Sequence, residues 1–344
     1  MSSAPARVRR SVRTTWGVIG GVVLVAVGVA ASLAFGSRVV SLPEIAEGLR
    51  TFGTGATADD IGAIAVAERI PRTVLSVIAG AALALSGGVM QAITRNPIAD
   101  PGILGVNMGA ALFVVCGIAF LGVTSVFSYL GLALAGGALA ALVVYLVGSV
   151  GAGGATPIKL ALAGAAVTAA LSSLVSAVLL PRAAAMNEFR FWQVGGTGGA
   201  EWSSMAIIAP LLAVAAIVVF CLGSSMNSLA LGDDVARGLG VHVGRTRALA
   251  AAAGVVLCAA VTAVAGPIAF VGLMVPHAVR LAVGPDQRAI LPLSALGGAA
   301  LLTIADTIGR VIGSPGEVEA GIITAFVGAP VLVAIARRTR MRAL

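Results

Sequence analysis

The amino-acid sequence predicts an all-α, polytopic membrane protein with about ten transmembrane helices. Of 344 residues, 59% are hydrophobic and 10% are charged, whereas about 25% of the residues in a soluble domain are charged. The apolar runs are continuous rather than alternating, which argues against a membrane β-barrel. Because a bilayer core of roughly 30 Å requires about 20 apolar residues in a helix, each long apolar run indicates a candidate span.

Ten candidate spans follow one another along the chain. They lie at 16–35, 73–93, 105–123, 129–149, 158–180, 204–223, 247–265, 268–282, 289–312 and 321–336. Arg69 and Arg72 are expected to stand just before the second span. The eighth is short and flanked by Pro267 and Pro276, so it is expected to be broken or to cross incompletely. The polar segment 181–202 is expected to form a re-entrant or surface element on the outer side.

The distribution of basic residues predicts the orientation. If both termini are cytoplasmic, that side holds 15 of the 22 Lys and Arg residues, including those of a basic N-terminus at 1–15 and a basic tail at 337–344. The positive-inside rule favours this arrangement, with the permease domain at 16–336 between them. The net charge of +8 then follows from topology and indicates no nucleic-acid partner. A cleaved signal peptide is the alternative for the first span, although that apolar run exceeds the usual 7–15 residues.

Several kinds of catalytic and metal site are excluded by the residues that are missing. The only lysine, Lys159, lacks the Gly-Lys-Ser/Thr context of a phosphate-binding P-loop, so any ATPase must be another polypeptide. His242 and His277 have no second ligand at metal-binding spacing, and no Ser-His-Asp constellation is present. The sequence therefore predicts neither an enzyme nor a metal site.

One acidic residue lies convincingly inside a predicted span. Asp306 stands toward the outer end of the ninth span, and Arg310 follows four residues later. An i,i+4 ion pair is one interpretation of this spacing. The other is a proton relay, which an ion-coupled transporter usually builds from an intramembrane acid.

An ordered set of motifs runs through nearly the whole chain beyond the first span. These are R-I-P-R at 69–72, G-A-A-L-A-L-S-G-G-V-M-Q at 80–91, R-N-P-I-A-D-P-G-I-L-G-V at 95–106, W-Q-V-G-G at 192–196, L-G-D-D-V-A-R-G-L-G-V at 231–241, A-G-P-I-A-F-V-G-L-M-V-P-H at 265–277, P-L-S-A-L-G-G-A at 292–299, A-D-T-I-G-R at 305–310 and G-I-I-T-A-F-V-G-A-P at 321–330. In this order they closely resemble the FecCD family of permeases, the membrane subunits of ABC importers for ferric siderophores, haem and cobalamin.

The resemblance implies a fold and a set of partners. The expected fold is that of a type II ABC importer permease, with ten helices and a second permease copy, identical or related, around a central pathway. Two cytoplasmic ATPase subunits would bind ATP and Mg²⁺, this chain would bind no cofactor, and an extracytoplasmic protein would deliver the substrate. The expected location is the bacterial cytoplasmic membrane.

The resemblance also implies roles for three outer arginines. By motif position, Arg69, Arg72 and Arg310 would bind glutamates of the substrate-binding protein. The planar fork of arginine suits that task, because it can grip a carboxylate through two hydrogen bonds. The alternatives are that Arg69 and Arg72 mark the membrane boundary, and that Arg310 simply pairs with Asp306.

The cytoplasmic loop 224–247 is expected to couple the permease to the ATPase. Two aspartates near its start and two glycines near its end predict a short helix. By resemblance, the coupling residues are Asp233, Asp234, Val235, Ala236, Arg237, Gly238, Leu239, Gly240 and Val241. An ordinary amphipathic surface helix is the alternative.

The fifth span carries small polar residues along an apolar helix, and in the family that the chain resembles this span lines the translocation pathway. The resemblance assigns this role to a wall formed by Gly164, Thr168, Ser172, Ser173 and Ser176. Helix packing through small residues explains the same pattern equally well. One departure from the family is Glu319, where members commonly have proline, and this added charge puts the choice of binding protein in doubt.

The expected function is import of a ferric siderophore driven by the partner ATPase. Haem or cobalamin import is the near alternative, since no single residue decides the substrate. A proton-coupled secondary transporter is the alternative from a different class, and it would require Asp306 to titrate during transport.

Overall fold

The computed structural model describes residues 4–54, 60–97, 99–102, 104–151 and 157–341. Within them the chain forms thirteen helices and no strand. Ten coincide with the predicted spans: α1 (Ala4–Ala34), α3 (Ile61–Thr94), α4 (Val106–Leu121), α5 (Val126–Ser149), α6 (Pro157–Leu179), α8 (Trp202–Ala230), α10 (Val243–Ala265), α11 (Val271–Val283), α12 (Gln287–Ile312) and α13 (Ala320–Met341). The other three are α2 (Leu42–Thr54), α7 (Ala183–Val194) and α9 (Asp233–Gly238).

Length and composition support the predicted class. Among the described residues, seven helices are long and apolar enough to cross a membrane, whereas α4, α11 and α13 are apolar but shorter. The all-α membrane fold is therefore confirmed. Both predicted basic tails are partly helical, because α1 starts at Ala4 and α13 continues to Met341. Residues 1–3 and 342–344 of those tails lie outside the described part of the chain.

Helix α3 is longer than predicted. It begins at Ile61, so the expectation that Arg69 and Arg72 precede it is wrong. The side chain of Asp60 caps the helix by accepting a 3.1 Å hydrogen bond from the backbone N–H of Ala63. Apolar residues follow immediately and start the helix three turns early, with Pro71 accommodated in its interior. The two arginines therefore project from the outer part of a continuous helix.

The two ends of α3 define the two faces of the molecule. Arg72 and Arg95 lie roughly 35 Å apart along the helix axis, slightly more than the thickness of a bilayer core. The Arg72 end is called outer and the Arg95 end inner, following the predicted orientation. Helices α1, α2, α8, α10, α11 and α12 all pack against α3, and most of α3 is buried. It is the central helix of the fold.

Two of the short helices begin inside the bundle. The thirteen residues of α11 extend about 20 Å, too little to cross the membrane alone, and its first turn lies against Gly87, two turns from the inner end of α3. A related segment stands at the start of each short helix: P-I-A-D-P-G at 97–102 lies before α4, and P-I-A-F-V-G at 267–272 runs into the first turn of α11. The two segments meet where the carboxylate of Asp100 approaches Gly272.

The remaining helices lie between the spans. The predicted outer element at 181–202 contains α7, and the predicted coupling segment contains α9. The loop at 224–247 is shorter than expected, because α8 continues to Ala230 and α10 starts at Val243. Helix α2 was not predicted. It packs on the outer part of α3, where Gly48 lies against Val66.

Candidate functional site

The three predicted docking arginines converge at the outer end of the bundle. Arg69 and Arg72 project from α3, and Arg310 projects from the last turn of α12. Their exposed fractions are only 8%, 8% and 3%. The structure thus places them together as the motifs predicted, but it encloses them rather than presenting them to solvent.

Asp306 is the centre of this outer cluster. The residue is fully buried. Arg72 Nε donates to its carboxylate at 2.9 Å and 3.1 Å, and Arg310 Nε lies 3.1 Å from its Oδ2 atom. Thr197, which follows α7, donates a further hydrogen bond at 2.8 Å. The ion-pair interpretation of Asp306 and Arg310 is confirmed, and Asp306 also joins α3 to α12.

The same arginines hold the end of α1 in place. Arg310 donates to the backbone oxygen of Ser32 at 3.1 Å and to its hydroxyl at 2.7 Å. Arg69 donates to the backbone oxygens of Leu33 and Arg38, both at 2.7 Å. Because these carbonyls belong to the last turn of α1 and the residues after it, the two arginines satisfy groups that a helix end leaves without partners.

Two glutamates from the loop between α12 and α13 complete the cluster. Glu317 Oε2 accepts from Arg72 Nη1 at 2.5 Å, and its side chain is 40% exposed. Glu319 is half-buried, and its Oε2 atom lies beside Gly196 without a hydrogen-bond partner among the described residues. Burial raises the pKa of Glu319. With Asp306, these residues place three carboxyl groups near the three arginines, so the formal charges of the cluster balance.

A second ionic cluster lies at the inner end of α3. Asp233, the first residue of α9, accepts a bidentate pair from Arg247 of α10, with both distances 2.9 Å. Arg95, at the end of α3, also donates to Asp233. Desolvation opposes ionisation of Asp233, but the hydrogen bonds and charges of Arg247 and Arg95 lower its pKa below the ordinary value. We call these three residues the inner clamp.

The rest of the predicted coupling segment is largely exposed. Asp234 has a side chain that is 99% exposed and pairs with Arg237 at 2.7 Å. Val235 and Leu239 are also exposed, whereas Ala236 is buried in a small cluster with Leu229 and Val243. Gly238 and Gly240 are exposed, and Val241 is half-buried. At the inner end of the molecule, helix α9 therefore exposes a mixed apolar and charged surface to solvent.

The predicted pathway residues divide along α6. Ser172, Ser173 and Ser176 are exposed, Thr168 is half-buried, and Gly164 is buried. The hydroxyls of Ser173 and Ser176 each donate to a carbonyl one turn earlier at 3.0 Å, which leaves the face of the helix weakly polar. Ser172 and Ser176 line a cavity of about 130 Å³, together with residues of α4 and α7.

The described residues give no sign of a metal centre. No group of three or more His, Cys, Asp or Glu side chains in that part of the chain could hold a metal ion. His277 has an Nδ1 atom with no hydrogen-bond partner among the described residues, and Arg280, the charged residue that acts on it electrostatically, is a cation. This histidine is therefore poorly placed as a ligand.

Comparison with known proteins decides the family. The model of the FecCD transport family matches residues 24–338. The chain belongs to this family. It is 41% identical over 321 residues to the ferric enterobactin transport system permease protein FepD of Escherichia coli (strain K12), covering 93% of this chain and 95% of the relative. It is 33% identical to the hemin transport system permease protein HmuU of Yersinia pestis, covering 90% and 92%.

A solved structure shares the fold of this FecCD member. That structure is described as "An inward-facing conformation of a putative metal-chelate type ABC transporter". The TM-score is 0.79 at 26% identity, with 94% of this chain and 99% of the other covered. The expected ABC importer permease fold is confirmed.

Several residues of the two clusters were missing from the sequence prediction. Glu317 and Ser32 bind the outer arginines, and Thr197 binds Asp306. Each of these partners is more than 100 residues away in sequence, and Ser32 and Arg310 are 278 residues apart. Arg95 and Arg247 were counted only as cytoplasmic charges. The sequence signal available for the inner clamp was a carboxylate, Asp233, predicted to lie on the same membrane face as these two arginines.

Proposed function

We propose that this chain is the membrane-spanning permease of an ATP-driven importer for ferric siderophores. The main support is that the sequence model of the FecCD family matches almost the full chain, together with the extensive similarity to a ferric enterobactin permease. Import of haem is the second candidate, because the chain is also similar to a hemin permease. Enclosure of Asp306 between two arginines gives no support to a proton relay.

The proposed assembly places a different partner at each end of α3. Cytoplasmic ATPase subunits, carrying ATP and Mg²⁺, would bind the exposed surface of α9. An extracytoplasmic binding protein would dock at the outer cluster. A second permease copy would complete the pathway against the exposed face of α6, where Ser172, Ser173 and Ser176 would contact the passing chelate.

Docking of the binding protein at the outer arginines remains a prediction, and it requires an arginine to exchange a partner within the chain for a carboxylate of the binding protein. Arg69 and Arg310 donate to groups of the chain itself. Arg72 has one partly exposed partner, Glu317. A carboxylate of the binding protein would therefore reach this cluster most directly by taking the place of Glu317 on Arg72.

Reconstitution tests the proposed function. The chain is incorporated into proteoliposomes with its partner ATPase and binding protein, and uptake of ferric enterobactin and of hemin is measured. We expect uptake of the ferric siderophore that requires ATP and persists when an ionophore collapses the proton gradient. Uptake of hemin without uptake of the siderophore would mean that the substrate is haem. Uptake by the chain without ATPase or nucleotide would contradict the importer.

A further inference from the structure

The two adjacent aspartates that begin α9 have different surroundings. Asp233 is held by arginines at the end of α3 and in α10, two helices that are largely buried inside the fold. Asp234 turns to solvent and pairs only with Arg237 of the same helix, among the contacts of the described residues. One aspartate thus connects α9 to the rest of the molecule, and the other faces whatever binds α9.

We propose that Asp233 is a positioning residue that transmits displacement of α9 to α3 and α10. This inference rests on the proposed function, in which the ATPase acts on α9. Asp233 contacts neither substrate nor nucleotide. Its role is to make the short helix and the two long helices move as one body.

The size of α9 explains why such a connection is needed. A six-residue helix forms too few hydrogen bonds to be stable alone and depends on its neighbours. Its apolar attachment is small, with Ala236 packed against Leu229 and Val243. These residues tie α9 to α8 and to the start of α10, so the ion pair with Arg95 supplies the described connection to α3.

The geometry of the clamp suits the transmission of force. Arg247 grips both carboxylate oxygens of Asp233, and a bidentate pair fixes orientation as well as distance. Without the carboxylate, two cations would remain facing each other. Loss of Asp233 therefore changes the contact from attraction to repulsion, and α9 is expected to separate from α3 and α10.

The backbone of Arg95 supports the assignment independently. Arg95 ends α3 in the left-handed region, with φ of 51°. Glycine is the usual residue at such a position, because side chains raise the energy of this conformation. An arginine here keeps a side chain at a position where glycine is favoured, and that side chain binds Asp233.

The experiment compares Asp233→Asn with Asp234→Asn. In the purified chain, hydrogen exchange of the amides at 233–240 reports on the clamp without any partner. In proteoliposomes with the ATPase, substrate transported per ATP hydrolysed reports on coupling. Asp233→Asn should accelerate exchange about five- to tenfold, the scale of a lost bidentate pair that is partly exposed, and should lower transport per ATP. Asp234→Asn loses only a pair within α9, so exchange at 233–240 should stay near the wild-type rate. Glu47→Gln, which breaks an exposed ion pair on α2 near the other end of α3, is the control for transport per ATP and should leave it unchanged.

A second variant guards against a folding defect in the first. Arg95→Gln removes only the connection to α3 and should lower transport per ATP while ATPase binding persists. Unchanged exchange or wild-type transport per ATP in Asp233→Asn would overturn the inference. If instead the wild-type chain transports without nucleotide, the proposed function fails, and the exchange measurement still reports separately whether Asp233 holds α9.

Discussion

Asp306 is the buried carboxylate that joins the outer ends of α3 and α12. It neutralises two arginines that are themselves almost fully buried. A buried charge that loses its partner cannot recover its hydration, so removal of one member of such a set is far more costly than removal of a surface pair. The outer cluster therefore connects helices of the chain to one another, independently of any partner that it binds.

Replacing Asp306 with asparagine should destabilise the protein strongly. We expect the free energy of unfolding to fall by about 3–5 kcal/mol, because Arg72 and Arg310 would lack their shared counter-ion. Titration with sodium dodecyl sulfate from mild detergent micelles would measure the change. Arg50→Gln is the control, since its exposed pair with Glu47 at 3.8 Å should contribute no more than about 1 kcal/mol. Equal effects of the two variants would contradict this account.

At the scale of elements, α3 packs closely because glycines remove side chains from its contacts. A Cβ atom on Gly87 would overlap the backbone of Gly272 at the start of α11. Helices in membranes lack a hydrophobic drive to associate and rely on close packing instead. Gly87 thus allows the half-length helix α11 to lie directly against the central helix.

Gly87→Ala should separate α3 from α11. Overpacking of this kind costs about 1–3 kcal/mol or more, and the backbone atoms at Gly272 have little freedom to retreat. Thermal unfolding in detergent would measure the loss. The matched control is Gly20→Ala in α1, where no described atom lies within 4 Å of the added Cβ. A stability loss shared by both variants would indicate a general effect of glycine replacement.

The elements differ in how far the sequence could predict them. Ten helices were found because each contains a long apolar run, which is a local signal. Helix α2 was missed because Pro43, Gly48 and Gly53 interrupt its apolar residues, and it depends on packing against α3. The start of α3 was misplaced because two arginines and Pro71 interrupt its apolar pattern.

The residues of the outer cluster show the same limit. Motifs placed Arg69, Arg72 and Arg310 correctly at one end of the molecule, but their burial depends on partners far away in sequence. Arg72 meets Glu317 across 245 residues. No local pattern encodes that contact, because it exists only once α3 and the loop after α12 have come together.

At the scale of the whole molecule, the two ionic clusters sit at opposite ends of one helix and give the protein two chemically distinct faces. The outer face carries enclosed arginines with one partly exposed glutamate, and the inner face carries α9 with its exposed aspartate. We infer that the outer face lies outside the cytoplasm, because the positive-inside rule assigns most basic residues to the opposite side.

Cysteine labelling in cells tests this orientation. The natural residues Cys116, Cys221 and Cys258 are first replaced by serine or alanine, and single cysteines are then introduced as Arg50→Cys in α2 and Asp234→Cys in α9. A maleimide that cannot cross membranes should label the cysteine at position 50 in intact spheroplasts. It should label position 234 only after permeabilisation or in inside-out vesicles. The reverse pattern would mean that the chain is inserted the other way, with the ATPase-binding surface assigned to the wrong end of α3.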